Sequence, residues 1–212
     1  MSGVNTNDLI EKLGAELKHV RPLSWSGMAK AMLYPAFFIL AFRGGHKSLE
    51  DWSRGSFELE LALSLALALV AFTALVQFLK PGGARTPNSF KASLALVPAQ
   101  LLFFLALATL HGFSAEFESS LEKQTLVCGI NSFASGAFLS LFAFHAARKG
   151  APTKPGRVGA LIGLSMGVFG SIICDLDCPS QNAMHILEGH VLLPVLATTI
   201  IGYFAGRFYL RW

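Results

Sequence analysis

The chain has 212 residues, of which 53% are apolar and 14% charged, with a mean hydropathy of +0.53. Soluble domains carry about 25% charged residues, so this balance excludes an ordinary water-soluble fold, and the apolar content equally excludes disorder. Three cysteines are too few for a disulfide-rich secreted scaffold. The expected class is all-α: a polytopic membrane protein.

The first predicted element is short and amphipathic. In NTNDLIEKLGAELKHVRPL, Asn7 or Thr6 caps a helix and Asp8 and Glu11 occupy its first turn, where acids favour the helix dipole. Leu9, Ile10, Leu13, Leu17 and Val20 recur at three- and four-residue steps and form one apolar stripe. Lys12, Glu16 and Lys18 line the opposite side, and Pro22 ends the run. About three turns of helix are marginal alone in water. The stripe must therefore lie on the membrane, pack on the bundle or enter a partner's groove. Residues 1–23 form a head distinct from the membrane domain at 24–212.

A membrane-crossing helix needs about 20 mostly apolar residues. Six runs qualify: Ser24–Phe42, Phe57–Leu79, Lys91–Gly112, Thr125–Ala147, Gly156–Cys174 and Leu187–Arg207. The first carries Lys30 near one end, where its stem can snorkel to the headgroups, and Pro35, which neighbouring helices must accommodate. It follows too long a polar segment, without a small-x-small site, to be a cleaved signal. In the fifth run Gly159, Gly163 and Gly167 fall at four-residue spacing, a stripe suited to close helix packing. Gln100, Asn131, Thr198 and Thr199 are expected to hydrogen-bond between helices.

Charge orients the spans. One side holds thirteen of the seventeen basic residues and only three acids, Asp8, Glu11 and Glu16; the other holds four basic residues and ten acids. Cytoplasmic segments collect Lys and Arg, so both termini are expected in the cytoplasm. The pI near 9.1 thus reflects topology, and no basic patch with interleaved aromatics suggests direct nucleic-acid contact. The short loops leave no room for a soluble catalytic domain, and no enzyme activity is expected. Helix centres lack the ionisable groups that a transporter requires.

All three cysteines fall on the acidic, outer side. Cys128 opens the fourth run, Cys174 closes the fifth, and Cys178 lies in the next loop. That loop and the following turn read CDLDCPSQNAMHILEGH, which adds His185 and His190; His111 ends the third run. Thiolate and imidazole suit zinc or another soft or borderline metal ion, giving Cys128, Cys178, His190 and His185 as a candidate ligand set. The same thiols can instead form a disulfide where the compartment permits it. On the bland reading, the cysteines are small apolar fillers and the histidines interfacial residues. The C-x3-C spacing does not match the C-x-x-C of thiol oxidoreductases.

The DLIEKLGAELKHVRPL head, six spans, a Cys opening the fourth, a Cys-Pro followed by His before the sixth, and the GRFYLRW ending together resemble the NrsF family. These are bacterial inner-membrane anti-sigma factors, negative regulators of extracytoplasmic-function sigma factors. The resemblance implies that the head holds such a sigma factor at the membrane. It further implies that Cys128 and Cys178 signal heavy-metal or oxidative stress, with Cys174 additional to that pair. The expected mechanism joins the two ends: metal or oxidant alters the outer cysteines, spans four to six repack, and the head releases its partner. The alternative is a membrane thiol-disulfide oxidoreductase using the same cysteines, which leaves the amphipathic head without a task.

Overall fold

The computed structural model describes residues 25–43, 55–79, 88–110, 123–150, 152–176, 178 and 185–211. Among these residues six α-helices run in chain order: α1 Trp25–Arg43, α2 Gly55–Phe78, α3 Asn88–Leu110, α4 Lys123–Ala147, α5 Pro155–Asp175 and α6 Leu193–Tyr209. A π-helical turn, Ile186–Leu192, leads directly into α6. No strand occurs among the described residues. Helices therefore stand at all six positions expected from hydropathy. Among the described residues, four segments are long and apolar enough to cross a membrane: Leu61–Phe78, Thr125–Ala147, Pro155–Asp175 and Ile186–Tyr209. The expected head, with Leu9, Ile10, Leu13, Leu17 and Val20, lies outside the described residues, as does His111.

The helices follow from composition. Runs such as LALSLALALVAF in α2 combine strong helix formers with apolar surface all round. Pro155 opens α5, where its missing N–H and fixed φ cost nothing. Pro35 and Pro98 lie inside α1 and α3.

The centre of the bundle is α5, which packs most extensively against α6, then α4, then α2. Nearly its whole length is buried. The α5–α6 approach is close enough to demand glycine at Gly163, where an added Cβ would overlap the Thr198 carbonyl. On the α4 side, a Cβ at Gly136 would come to 2.9 Å from the Met166 carbonyl. Apolar solvation does not separate helices from lipid tails, so such close backbone packing carries helix association in a membrane. Apolar side chains including Leu126, Ile130, Leu141, Ile200, Phe204 and Phe208 stay exposed on α4 and α6, the outward surface that a lipid solvent calls for.

Polar side chains also join the helices. Gln100 Nε2 donates to Ser64 Oγ at 2.8 Å, a buried bond joining α3 to α2. Thr198 and Thr199, expected to bond between helices, instead donate within their own helix to the Pro194 and Val195 carbonyls at 2.7 and 2.6 Å. A short hydroxyl in a helix reaches the carbonyl one turn back more readily than a neighbour. Asn131 is exposed.

Among the described residues, two arginines mark one end of the bundle. The Arg148 guanidinium, just past α4, lies 5.0 Å from the ring centroid of Tyr209 at the end of α6. Arg157 at the start of α5 lies 5.9 Å from the ring centroid of Phe90 at the start of α3. Consequently the start of α4, the end of α5 and the π turn meet at the opposite end.

Candidate metal and thiol site

Three elements supply that opposite end. Cys128 and Thr125 stand one turn apart near the start of α4, three residues being the spacing that shares a helix face. Cys174 and Asp175 close α5, and Cys178 follows, its N–H donating to the Asp175 carbonyl at 3.3 Å. His185 immediately precedes the π turn and His190 lies within it.

The π turn has a local cause. In an α-helix the carbonyl of residue 190 would accept from the N–H of residue 194, but Pro194 has none. The ladder shifts instead: Leu193 N–H bonds the Glu188 carbonyl, five residues back. The His190 carbonyl accepts from Ser171 Oγ of α5, which ties the turn to the bundle core. In an α-helix, residues five apart point about 140° away from each other. The wider π turn carries them to nearly the same side, and the His185 and His190 rings sit with centroids 5.3 Å apart.

Cys128, Cys178, His185 and His190 each place one donor atom within 4.8 Å of the other three. Cys128 Sγ and Cys178 Sγ are 3.7 Å apart, and Cys178 Sγ is 3.3 Å from His185 Nε2. The Nδ1 atoms are engaged elsewhere. That of His185 bonds Thr125 Oγ1 at 2.9 Å, and that of His190 lies against Asp175 Oδ1. His190 is fully buried, and with its Nδ1 against Asp175 the rest of the ring interacts with the Cys128 and Cys178 thiols.

These distances fit a metal. A tetrahedral zinc ion bound at about 2.3 Å to sulfur and about 2.0–2.1 Å to nitrogen requires edges of roughly 3.8 Å between sulfurs and roughly 3.6 Å between sulfur and nitrogen. The Cys128–Cys178 separation matches and the Cys178–His185 one falls within a few tenths of an ångström, while the full set, spread over as much as 4.8 Å, would draw in to close on an ion. The donor set, two thiols and two imidazoles, suits a borderline or soft cation. All three cysteines are free thiols, so the Cys128–Cys178 pair also stands ready for oxidation.

All four residues proposed from sequence as metal ligands are thus gathered together. Cys174 is buried beside them but turns its thiol to the Cys128 carbonyl at 3.6 Å, outside the four-donor group. His145 is exposed at the basic end of α4. Sequence reasoning missed Asp175 and Thr125. Signals for both were present: Asp175 directly follows a cysteine at a helix end, and Thr125 lies one turn before Cys128.

Comparison with known proteins adds a family. Residues 15–212 match the family described as NrsF, negative regulator of sigma F. The match begins within the predicted amphipathic head. One relative is the anti-sigma-F factor NrsF of Caulobacter vibrioides (strain NA1000 / CB15N), 36% identical over 107 residues, covering 50% of this chain and 45% of the relative. The alignment thus spans a little under half of that relative's length. No solved structure matches.

Proposed function

From the premise that the chain belongs to the NrsF family, we propose that it is a membrane-bound anti-sigma factor that holds an extracytoplasmic-function sigma factor and releases it under heavy-metal or oxidative stress. Residues 1–23 form the cytoplasmic head, and Leu9, Ile10, Leu13, Leu17 and Val20 fill a groove on the sigma factor. All six helices cross the bacterial inner membrane with both termini in the cytoplasm. That orientation places Cys128, Cys174, Cys178, His185 and His190 on the periplasmic side. The protein performs no catalysis of its own.

The observation that carries the sensing half is the meeting of Cys128, Cys178, His185 and His190 from three separate elements within 4.8 Å. A bound soft or borderline cation would fasten the start of α4, the loop after α5 and the π turn to one another. Oxidation acts on the same pair: an oxidant accepts two electrons, the two thiols release two protons, and a Cys128–Cys178 bond forms. Either event pulls on α4 and α6, which both end at the basic, head-proximal side. Moving the head from 99:1 bound to 1:99 requires roughly 5.5 kcal/mol of differential interaction. Thiolate–metal coordination is strong enough to supply it.

The test is gentle purification of the tagged protein from its native membranes, beside a version lacking residues 2–20, with identification of what travels along. A small sigma factor that accompanies the full chain and not the truncation supports the reading. Its absence from well-expressed membranes overturns the reading and favours the thiol-disulfide oxidoreductase alternative.

A further inference from the structure

The ligand cluster explains the thiols and the outward nitrogens of two histidines, but not the two polar side chains set behind them. Thr125 Oγ1 holds His185 Nδ1 at 2.9 Å, and Asp175 Oδ1 lies against His190 Nδ1. Both are themselves buried, and each comes from a helix other than the one bearing its histidine. An imidazole can present either nitrogen to a ligand, and the hydrogen bond on one nitrogen decides which tautomer the other adopts. Metal-binding histidines nearly always donate their second N–H to a carboxylate, carbonyl or hydroxyl oxygen, which fixes the ring and raises its basicity.

We propose that Asp175 and Thr125 are positioning residues of this site: each accepts the Nδ1–H of one histidine, so that both Nε2 atoms turn toward Cys128 and Cys178 and complete a closed tetrahedral Cys2His2 set for a divalent cation of zinc type. The proposal rests on reading the cluster as a metal-responsive site. Asp175 is the stronger of the two, because a carboxylate accepts a charge-assisted bond and neighbours a ring with no exposure at all. Thr125 acts on the more peripheral His185. Four protein donors leave no open position, the arrangement of a structural or sensory zinc site rather than a hydrolytic one.

The experiment uses the full chain in lipid nanodiscs, with Co(II) as a spectroscopic probe and Zn(II) in competition. Wild type is expected to show the intense visible bands of tetrahedral Co(II) and a thiolate charge-transfer band. Asp175→Ala is expected to weaken Co(II) binding 10- to 100-fold, the usual cost of losing such an outer partner. Asp175→Asn, which keeps an acceptor oxygen, falls between the two. Thr125→Val weakens binding about tenfold, and Thr125→Ser, which keeps the hydroxyl, restores it. A variant merely damaged in folding would not be rescued by serine or alter the Co(II) band shape, and Asp175→Asn carries the test if the alanine variant fails to assemble. Wild-type affinity and spectrum in Thr125→Val and Asp175→Asn would overturn the positioning roles alone. No Co(II) or Zn(II) binding by the wild-type chain would instead overturn the metal-site reading beneath them.

Discussion

Cys128 Sγ and Cys178 Sγ lie 3.7 Å apart although fifty residues separate them in sequence. That separation equals the edge a tetrahedral zinc ion would require between two sulfurs, and it is also short enough for a modest shift to bring the sulfurs into bonding. The proposed sensing therefore needs only this one pair for both kinds of signal. Replacing both with serine is expected to leave the sigma factor bound and abolish its release by cadmium, zinc or peroxide. Transcription from a sigma-dependent reporter is the readout, and full induction in the double variant would remove the sensing role.

The head is expected to work through its apolar stripe. Changing Ile10, Leu13 and Leu17 together to aspartate places three charges where a groove must exclude water, with each buried unpaired charge costing several kcal/mol. The reporter should then be constitutively on, and the sigma factor should no longer travel with the membranes. If the triple variant still silences the reporter, the grip lies elsewhere in the chain.

Much of the architecture was legible because lipid imposes two demands that sequence displays openly. Backbone groups must be satisfied within each segment, so spanning elements are long apolar helices. Cationic loops collect on one side, and Arg148 against Tyr209 and Arg157 against Phe90 show the corresponding helix ends together. Three of the four clustered residues, Cys178, His185 and His190, were legible as chemistry, since Cys and His crowd the CDLDCPSQNAMHILEGH stretch, and Cys128 was legible as a cysteine opening the fourth run. Their supports were not. Thr125 reads as an ordinary helix residue until α4 is docked beside His185, and Thr198 reads as an interhelical donor until its own backbone is seen to be nearer. The π turn was missed as well, although Pro194, four residues after His190, was its signal.

Packing of α5 on α6 leaves no room at Gly163. A valine there would drive its Cβ into the Thr198 carbonyl, and backbone cannot yield as a flexible side chain can. Gly163→Val is expected to destabilise the bundle by about 1–3 kcal/mol or more, read as a lowered midpoint of thermal unfolding in detergent. Gly150→Ala is the control, because the nearest atoms to its Cβ, on Leu79, stand at an ordinary 3.5 Å. Its unfolding should stay within about 0.5 kcal/mol of wild type. Equal stability of the two variants would show that α5 and α6 are not packed backbone to backbone.

Pro194 sets the spacing of the histidines. Replacing it with alanine returns an N–H to residue 194, which can then meet the His190 carbonyl and favour α-helical geometry through the turn. His185 and His190 would swing apart by about 140° around such a helix, and Pro194→Ala should lose at least tenfold in Co(II) affinity although no ligand has changed. Deleting Glu188 in that background turns the pair from H-x4-H into H-x3-H, the spacing that an α-helix places on one face. Affinity should then recover in part. A Pro194→Ala protein with unaltered affinity would mean that the π turn is held by the Ser171 contact and the α5 packing rather than by the proline. Recovery in the deletion variant would show that ring placement, and not the proline itself, governs the site.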